Sequence, residues 1–116
     1  MSDDMDFLVA YNDAVVLTKV VDHDDWQKPT YGPPVSLGRV RIDRGTVYSG
    51  TNNDRQVVAN AIIYIRTAAN PDMPVLDDTW LEGVAEFDSR KYTITSVNVL
   101  KDSDQPGIWG YELEVL

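Results

Sequence analysis

Histidine occurs once in the 116-residue chain, as His23, and three carboxylates flank it: Asp22, Asp24 and Asp25. Carboxylate oxygens suit calcium or magnesium, but neighbouring acids on one loop splay apart, and the rest of the ligand shell would have to come from elsewhere. The segment reads as a solvated acidic loop, with no metal expected. Asp102-Ser103-Asp104 followed by Gly107 resembles the opening of a calcium loop, with glycine at the sixth position. Yet Pro106 fills the fifth and Leu113 the twelfth, where a bidentate glutamate is required, so a turn between strands is the better reading. A serine–histidine–acid relay would have to use His23, and no serine stands in a Gly-x-Ser-x-Gly elbow. Glu82, Glu86, Glu112 and Glu114 are acids of the kind glycoside hydrolysis uses, but their strand positions point outward. The 7 glycines are dispersed, which leaves no phosphate-cradling loop, and the absence of cysteine removes thiolate, zinc-thiolate and disulfide chemistry. The expectation is a protein that is not an enzyme, with no catalytic, cofactor or metal site.

The elements around these residues are strands. No run of eleven or more residues carries helical spacing of apolar positions free of β-branched crowding. Ala14–Val21 is Val-rich. Leu37–Arg44 alternates, with Val40 and Ile42 on one face and Arg39, Arg41 and Asp43 on the other. Val57–Arg66 is apolar on both faces: Val57, Ala59, Ala61, Ile63 and Ile65 oppose Val58, Ile62 and Tyr64. A half-solvated strand does not look like that, so it is either central and covered or buried by a partner chain. Gly83–Asp88 and Lys91–Leu100 flank Ser89-Arg90, read as a tight hairpin turn without the preferred glycine. Within Tyr92–Leu100 the apolar face switches from Tyr92 and Ile94 to Val97 and Val99, the mark of a β-bulge. Ile108–Leu116 alternates, placing Trp109, Tyr111, Leu113 and Val115 inward and Glu112 and Glu114 outward. Its end at Leu116 is expected to be paired in a sheet.

About six strands, with one short helical turn at Asp77–Glu82 capped by Asp77 or Asp78, predict an all-β fold: a small single-domain β-barrel or sandwich. An acidic arm is expected over residues 1–12 and a long loop over 22–36, with a second long connection over 67–79. A hydrophobic fraction of 43% with 11 aromatic residues is too apolar for disorder. No run approaches the roughly 20 apolar residues of a membrane span, and the acidic start is unlike a signal peptide, so a soluble protein made in a cytoplasm is expected.

The net charge is −9, against wholesale gripping of a DNA backbone. It is unevenly spread: residues 1–25 carry net −6, and residues 39–66, with five arginines and two aspartates, carry net +3. Such asymmetry suits copies that meet acid patch to basic patch. A base-stacking platform is disfavoured, because glutamates border Trp109 and Tyr111.

The run Arg39-Val40-Arg41-Ile42-Asp43-Arg44, the block from Ser49-Gly50-Thr51-Asn52-Asn53-Asp54-Arg55 to Val58-Ala59-Asn60-Ala61, and then Pro74, Thr79-Trp80-Leu81-Glu82-Gly83, Tyr92-Thr93-Ile94-Thr95 and Tyr111-Glu112-Leu113-Glu114-Val115-Leu116 resemble the minor capsid proteins of tailed phages and prophages of Gram-positive bacteria. The resemblance spans roughly residues 36–116. It implies a virion protein, assembled in the host cytoplasm, with the size and all-β character of head-completion (stopper) subunits. Such a subunit would join a ring, hexamer or dodecamer, below the portal. Portal or adaptor would lie on one side and a tail terminator on the other, with DNA passing without sequence-specific binding. Tail-terminator and capsid-decoration roles are the alternatives. The interface candidates are Val58, Ile62, Tyr64 and Arg66 on the two-faced apolar run, Trp26 with Asp24 and Asp25 on the long loop, and Arg55. Arg55 is expected to grip a carboxylate within the chain or across a subunit boundary.

Overall fold

The computed structural model describes residues 11–50, 54–101 and 107–116. The acidic arm therefore lies outside the described residues except for Tyr11 and Asn12, as do residues 51–53 and the calcium-like start at 102–106. Ten strands are described: β1 Asp13–Thr18, β2 Val20–His23, β3 Pro29–Tyr31, β4 Val35–Asp43, β5 Val47–Ser49, β6 Gln56–Ala59, β7 Ala61–Arg66, β8 Val84–Phe87, β9 Arg90–Lys101 and β10 Ile108–Val115. Six of them close an antiparallel barrel in the order β1-β4-β7-β10-β9-β8, and β2–β3 and β5–β6 are separate two-stranded ribbons.

Alternation in each barrel strand sends one set of side chains inward. Leu17, Val40, Ile63, Leu113 and Val115 are fully buried, with Ile65, Ile94 and Tyr111 nearly so. A barrel of this size is filled by its own side chains. Its open end is sealed by the β7–β8 connection, whose Leu76 and Trp80 join the same core. The Tyr111 hydroxyl accepts from the Leu76 amide at 3.2 Å, so the one buried phenol is satisfied where the connection crosses the barrel. Asn70, also buried, donates from its amide nitrogen to the carbonyls of Arg39 at 3.0 Å and Arg66 at 3.1 Å. Two 3₁₀ turns shape this connection. The expected one is Asp78–Trp80, with Asp77 as its cap accepting from the Thr79 amide; the other is Thr67–Ala69.

Bulges set the curvature. The phase slip in β9 appears as a register shift, with Glu114 opposite Ser96 but Val115 opposite Ile94. A second bulge lies in β4, where Val15 pairs Leu37 and Asp13 pairs Val40, so Leu37 and Val40 both face the core across Gly38-Arg39. A third shift occurs between Ile108 and Gly110. It turns Trp109 outward, 37% exposed, where strict alternation places it in the core. Gly110 follows because a Cβ there would lie 2.4 Å from the Ile65 carbonyl oxygen.

Several boundaries differ from the sequence reading. The Val57–Arg66 run is two strands, broken at Asn60, whose amide donates to the Val115 carbonyl at 2.7 Å. Ala14–Val21 likewise divides at Lys19. The β8–β9 turn is Asp88-Ser89, one residue earlier than expected. Both residues have positive φ, 55° and 61°, the signature of a type I′ turn that suits hairpin twist. The 22–36 segment holds the β2–β3 ribbon rather than irregular loop.

Candidate functional site

Strand direction fixes where the ribbons lie. β1 enters the β2–β3 ribbon at one end of the barrel, here the upper end. β4 runs from that ribbon to the opposite, lower end and there enters β5–β6, which leads into β7. The β7–β8 connection belongs to the upper end and the Asp88-Ser89 turn to the lower. The interface candidates therefore fall into three places.

At the upper end, Asp24, Asp25 and Trp26 occupy the tip of β2–β3. Asp24 organises it: the Gln27 amide donates to the Asp24 carbonyl at 2.9 Å, and the Asp24 side chain accepts from the amides of Trp26 at 2.9 Å and Lys28 at 2.8 Å. Gln27 takes φ of 63°, completing a three-residue turn with a left-handed last position. The result holds Trp26 out at the tip, 84% exposed, with Val21 and Tyr31 exposed on the same ribbon. Asp24 thus has a positional role, and Asp25 is left to face solvent.

At the lower end, Arg55 precedes β6 and Val58 lies within it. Arg55 sits over the Tyr48 ring, 4.3 Å from guanidinium carbon to centroid. Its described contact within the chain is that ring rather than a carboxylate. Tyr48 and Val57 are exposed there and Val58 is half-buried.

Between the ends, Ile62, Tyr64 and Arg66 lie on the outer face of β7, all half-buried. Register places Tyr64 between Arg41 and Glu112, and Ile62 between Asp43 and Glu114. Arg41 lies over the Tyr64 ring at 5.4 Å, and Asn98 donates to the Glu112 carboxylate at 3.3 Å. Burial, with the charges of Glu112 and Asp43, pushes the Tyr64 hydroxyl above its ordinary pKa. Arg66 covers the outward Trp109 at 3.7 Å. The second apolar face of this run is thus two side chains set in rows of charge, not a continuous greasy stripe.

The group that sequence reasoning missed is a clasp at the lower end. The Arg44 guanidinium takes Asp88 in a fork, Nε to Oδ2 at 2.6 Å and Nη2 to Oδ1 at 3.1 Å, and reaches Asp13 at 3.4 Å. Asp13 in turn accepts from the Ile42 amide at 3.0 Å. The hydrogen bond from Arg44 holds the Asp88 carboxyl below its ordinary pKa, and those carboxylates raise the guanidinium's, with partial burial opposing. Nothing in sequence marks a pair 44 residues apart. Four of the five arginines in residues 39–66 lie over aromatic rings: Arg41, Arg44, Arg55 and Arg66.

Among the described residues no cluster of three or more His, Asp or Glu side chains can hold a metal ion, and no helix is long and apolar enough to cross a membrane. The exposed chemistry is that of surfaces: an aromatic tip, an arginine–tyrosine pair, and rows of charge.

Comparison with known proteins agrees in kind. The profile of the minor capsid protein family matches residues 5–115. The uncharacterized protein ORF5 of Lactococcus phage LL-H is 40% identical over 98 residues, covering 78% of this chain and 80% of that protein. The uncharacterized protein ORF5 of Lactococcus phage mv4 is 33% identical over 86 residues, covering 70% and 74% respectively. No solved structure matches the chain. With the profile running over nearly its whole length and phage proteins as its relatives, the chain belongs to the minor capsid protein family of phages.

Proposed function

We propose that this minor capsid protein is a head-to-tail connector subunit of the head-completion type, which forms a ring below the portal through which DNA passes. One observation carries the reading: a filled barrel bears a two-stranded ribbon at each end, and each ribbon exposes apolar side chains, Val21 and Tyr31 on one and Tyr48 and Val57 on the other. A subunit held between two different partners, portal or adaptor on one side and tail terminator on the other, needs two such ends. Because the barrel interior is packed, a passage for DNA has to be framed by several subunits, which calls for a self-association that closes. A net charge of −9 keeps that passage from gripping phosphate.

The test mixes the purified chain with portal-bearing heads and with shells made without portal, followed by sedimentation. Co-sedimentation with portal-bearing heads alone is the expected result. Binding to portal-less shells would instead identify a decoration protein, and stable hexamers of the free chain that ignore heads would identify a tail terminator. Either outcome overturns the connector reading.

A further inference from the structure

The upper end holds a hole as well as a knob. The start of β4 and the β7–β8 connection frame a cleft of about 220 Å³, with Val35, Leu37, Pro71 and Met73 as apolar walls and Ser36 and Asp72 as polar groups. Arg39 stands beside it, exposed, its carbonyl held by Asn70. An indole needs this combination: apolar walls for the ring and an acceptor for its single N–H. The cleft supplies carboxylate and hydroxyl oxygens for that proton.

We propose that Trp26 of one copy seats in this cleft of the next copy, with Asp25 meeting Arg39; the proposal rests on the ring reading and names the contact that builds it. Three observations favour a second copy as the occupant. First, a chain's own Trp26 stands outside its own cleft, 84% exposed and not among the residues that line it. The ribbon root is pinned where the Gly32 amide donates to the Lys19 carbonyl at 2.8 Å, and β4, which lines the cleft, starts three residues later at Val35. Second, Asp25 beside Trp26 finds a cation next to the cleft in exposed Arg39, whose carbonyl is held by Asn70 of the lining, while the cleft's own carboxylate, Asp72, is the acceptor for the indole N–H. Third, knob and hole are different surfaces at the same end of one barrel. That is the requirement for a head-to-tail contact repeated by rotation about an axis alongside the barrels, which closes into a ring. A two-stranded ribbon is also marginal in water by itself, and seating its tip would fix it.

The chain has no cysteine, so introduced thiols report unambiguously. Lys28→Cys and Asp72→Cys place one thiol beside the knob and one beside the hole, both at exposed positions. Loaded together on portal-bearing heads and oxidised, the two variants are expected to cross-link to each other, while each alone stays uncross-linked because like does not meet like. A chain carrying both should give a ladder of oligomers. Trp26→Ala should lower head-bound protein by about tenfold or more, as for a central aromatic anchor, with unchanged thermal unfolding because the residue is solvent-facing. Asp25→Arg combined with Arg39→Asp should restore what either change alone weakens. If the native chain forms rings that Trp26→Ala leaves intact and the 28–72 cross-link is missing, this contact is wrong and the ring stands. If the native chain forms no ring on heads, both readings fall.

Discussion

Arg55 illustrates how a residue's type can be read from sequence while its partner cannot. A guanidinium over the Tyr48 ring keeps its charge and its N–H donors, so the proposed carboxylate of another subunit can still be met. Because an exposed cation–π pair is worth about 0.5–1 kcal/mol, Arg55→Ala should lower folding stability by no more than about 1 kcal/mol in chemical denaturation. Its effect on loading of portal-bearing heads should be larger than that. Equal loading by the variant would show that Arg55 serves only its own ribbon. Trp109 teaches the opposite lesson: alternation through Tyr111, Leu113 and Val115 is real, but the register shift beside Gly110 falls at the start of β10 and leaves no break in the apolar pattern. The β9 bulge was legible because it lies mid-strand, where the pattern visibly changes phase.

Among the elements, the type I′ turn at Asp88-Ser89 and its clasp to Arg44 tie the lower ends of β8 and β9 to β4 and, through Asp13, to β1. Asp88 has a folded pKa below its ordinary value near 4. A carboxyl lowered in this way contributes stability above its unfolded pKa and loses it as pH falls through the folded one. The Asp77 cap, lowered by its bonds to Thr79, behaves alike. The melting temperature should therefore be level from pH 7 to about 5 on account of these groups and fall below about 4. Asp88→Asn should flatten part of that fall, and a profile identical to that of the native chain would remove the clasp from the stability of the barrel. The strands themselves were largely visible as alternating runs. Their ends were not, because a turn without glycine gives no local sign of which two residues adopt positive φ. A break such as Asn60 is likewise decided by a distant partner, the Val115 carbonyl.

For the whole molecule, six strands around one apolar core was the part of the fold that composition and alternation could dictate, since burying so many short strands without open edges leaves few solutions. Which strands neighbour one another was not, because pairings such as β1 with β8 join segments distant in the chain. Charge has a consequence at this scale. With 19 acids against 10 bases, net −9, the chain as a whole repels a phosphate backbone. The chain should show no retention on immobilised double-stranded DNA even at about 50 mM salt; retention that weakens as salt rises would contradict a passive passage. The order of strands carries one more implication. β10 comes last in order among the described strands, yet it lies between β7 and β9 and pairs with both. A chain without residues 108–115 lacks the stave that closes the cask, and the facing edges of β7 and β9 are left bare. Closure of the cask therefore waits on β10, and a copy without it has no finished shape to offer.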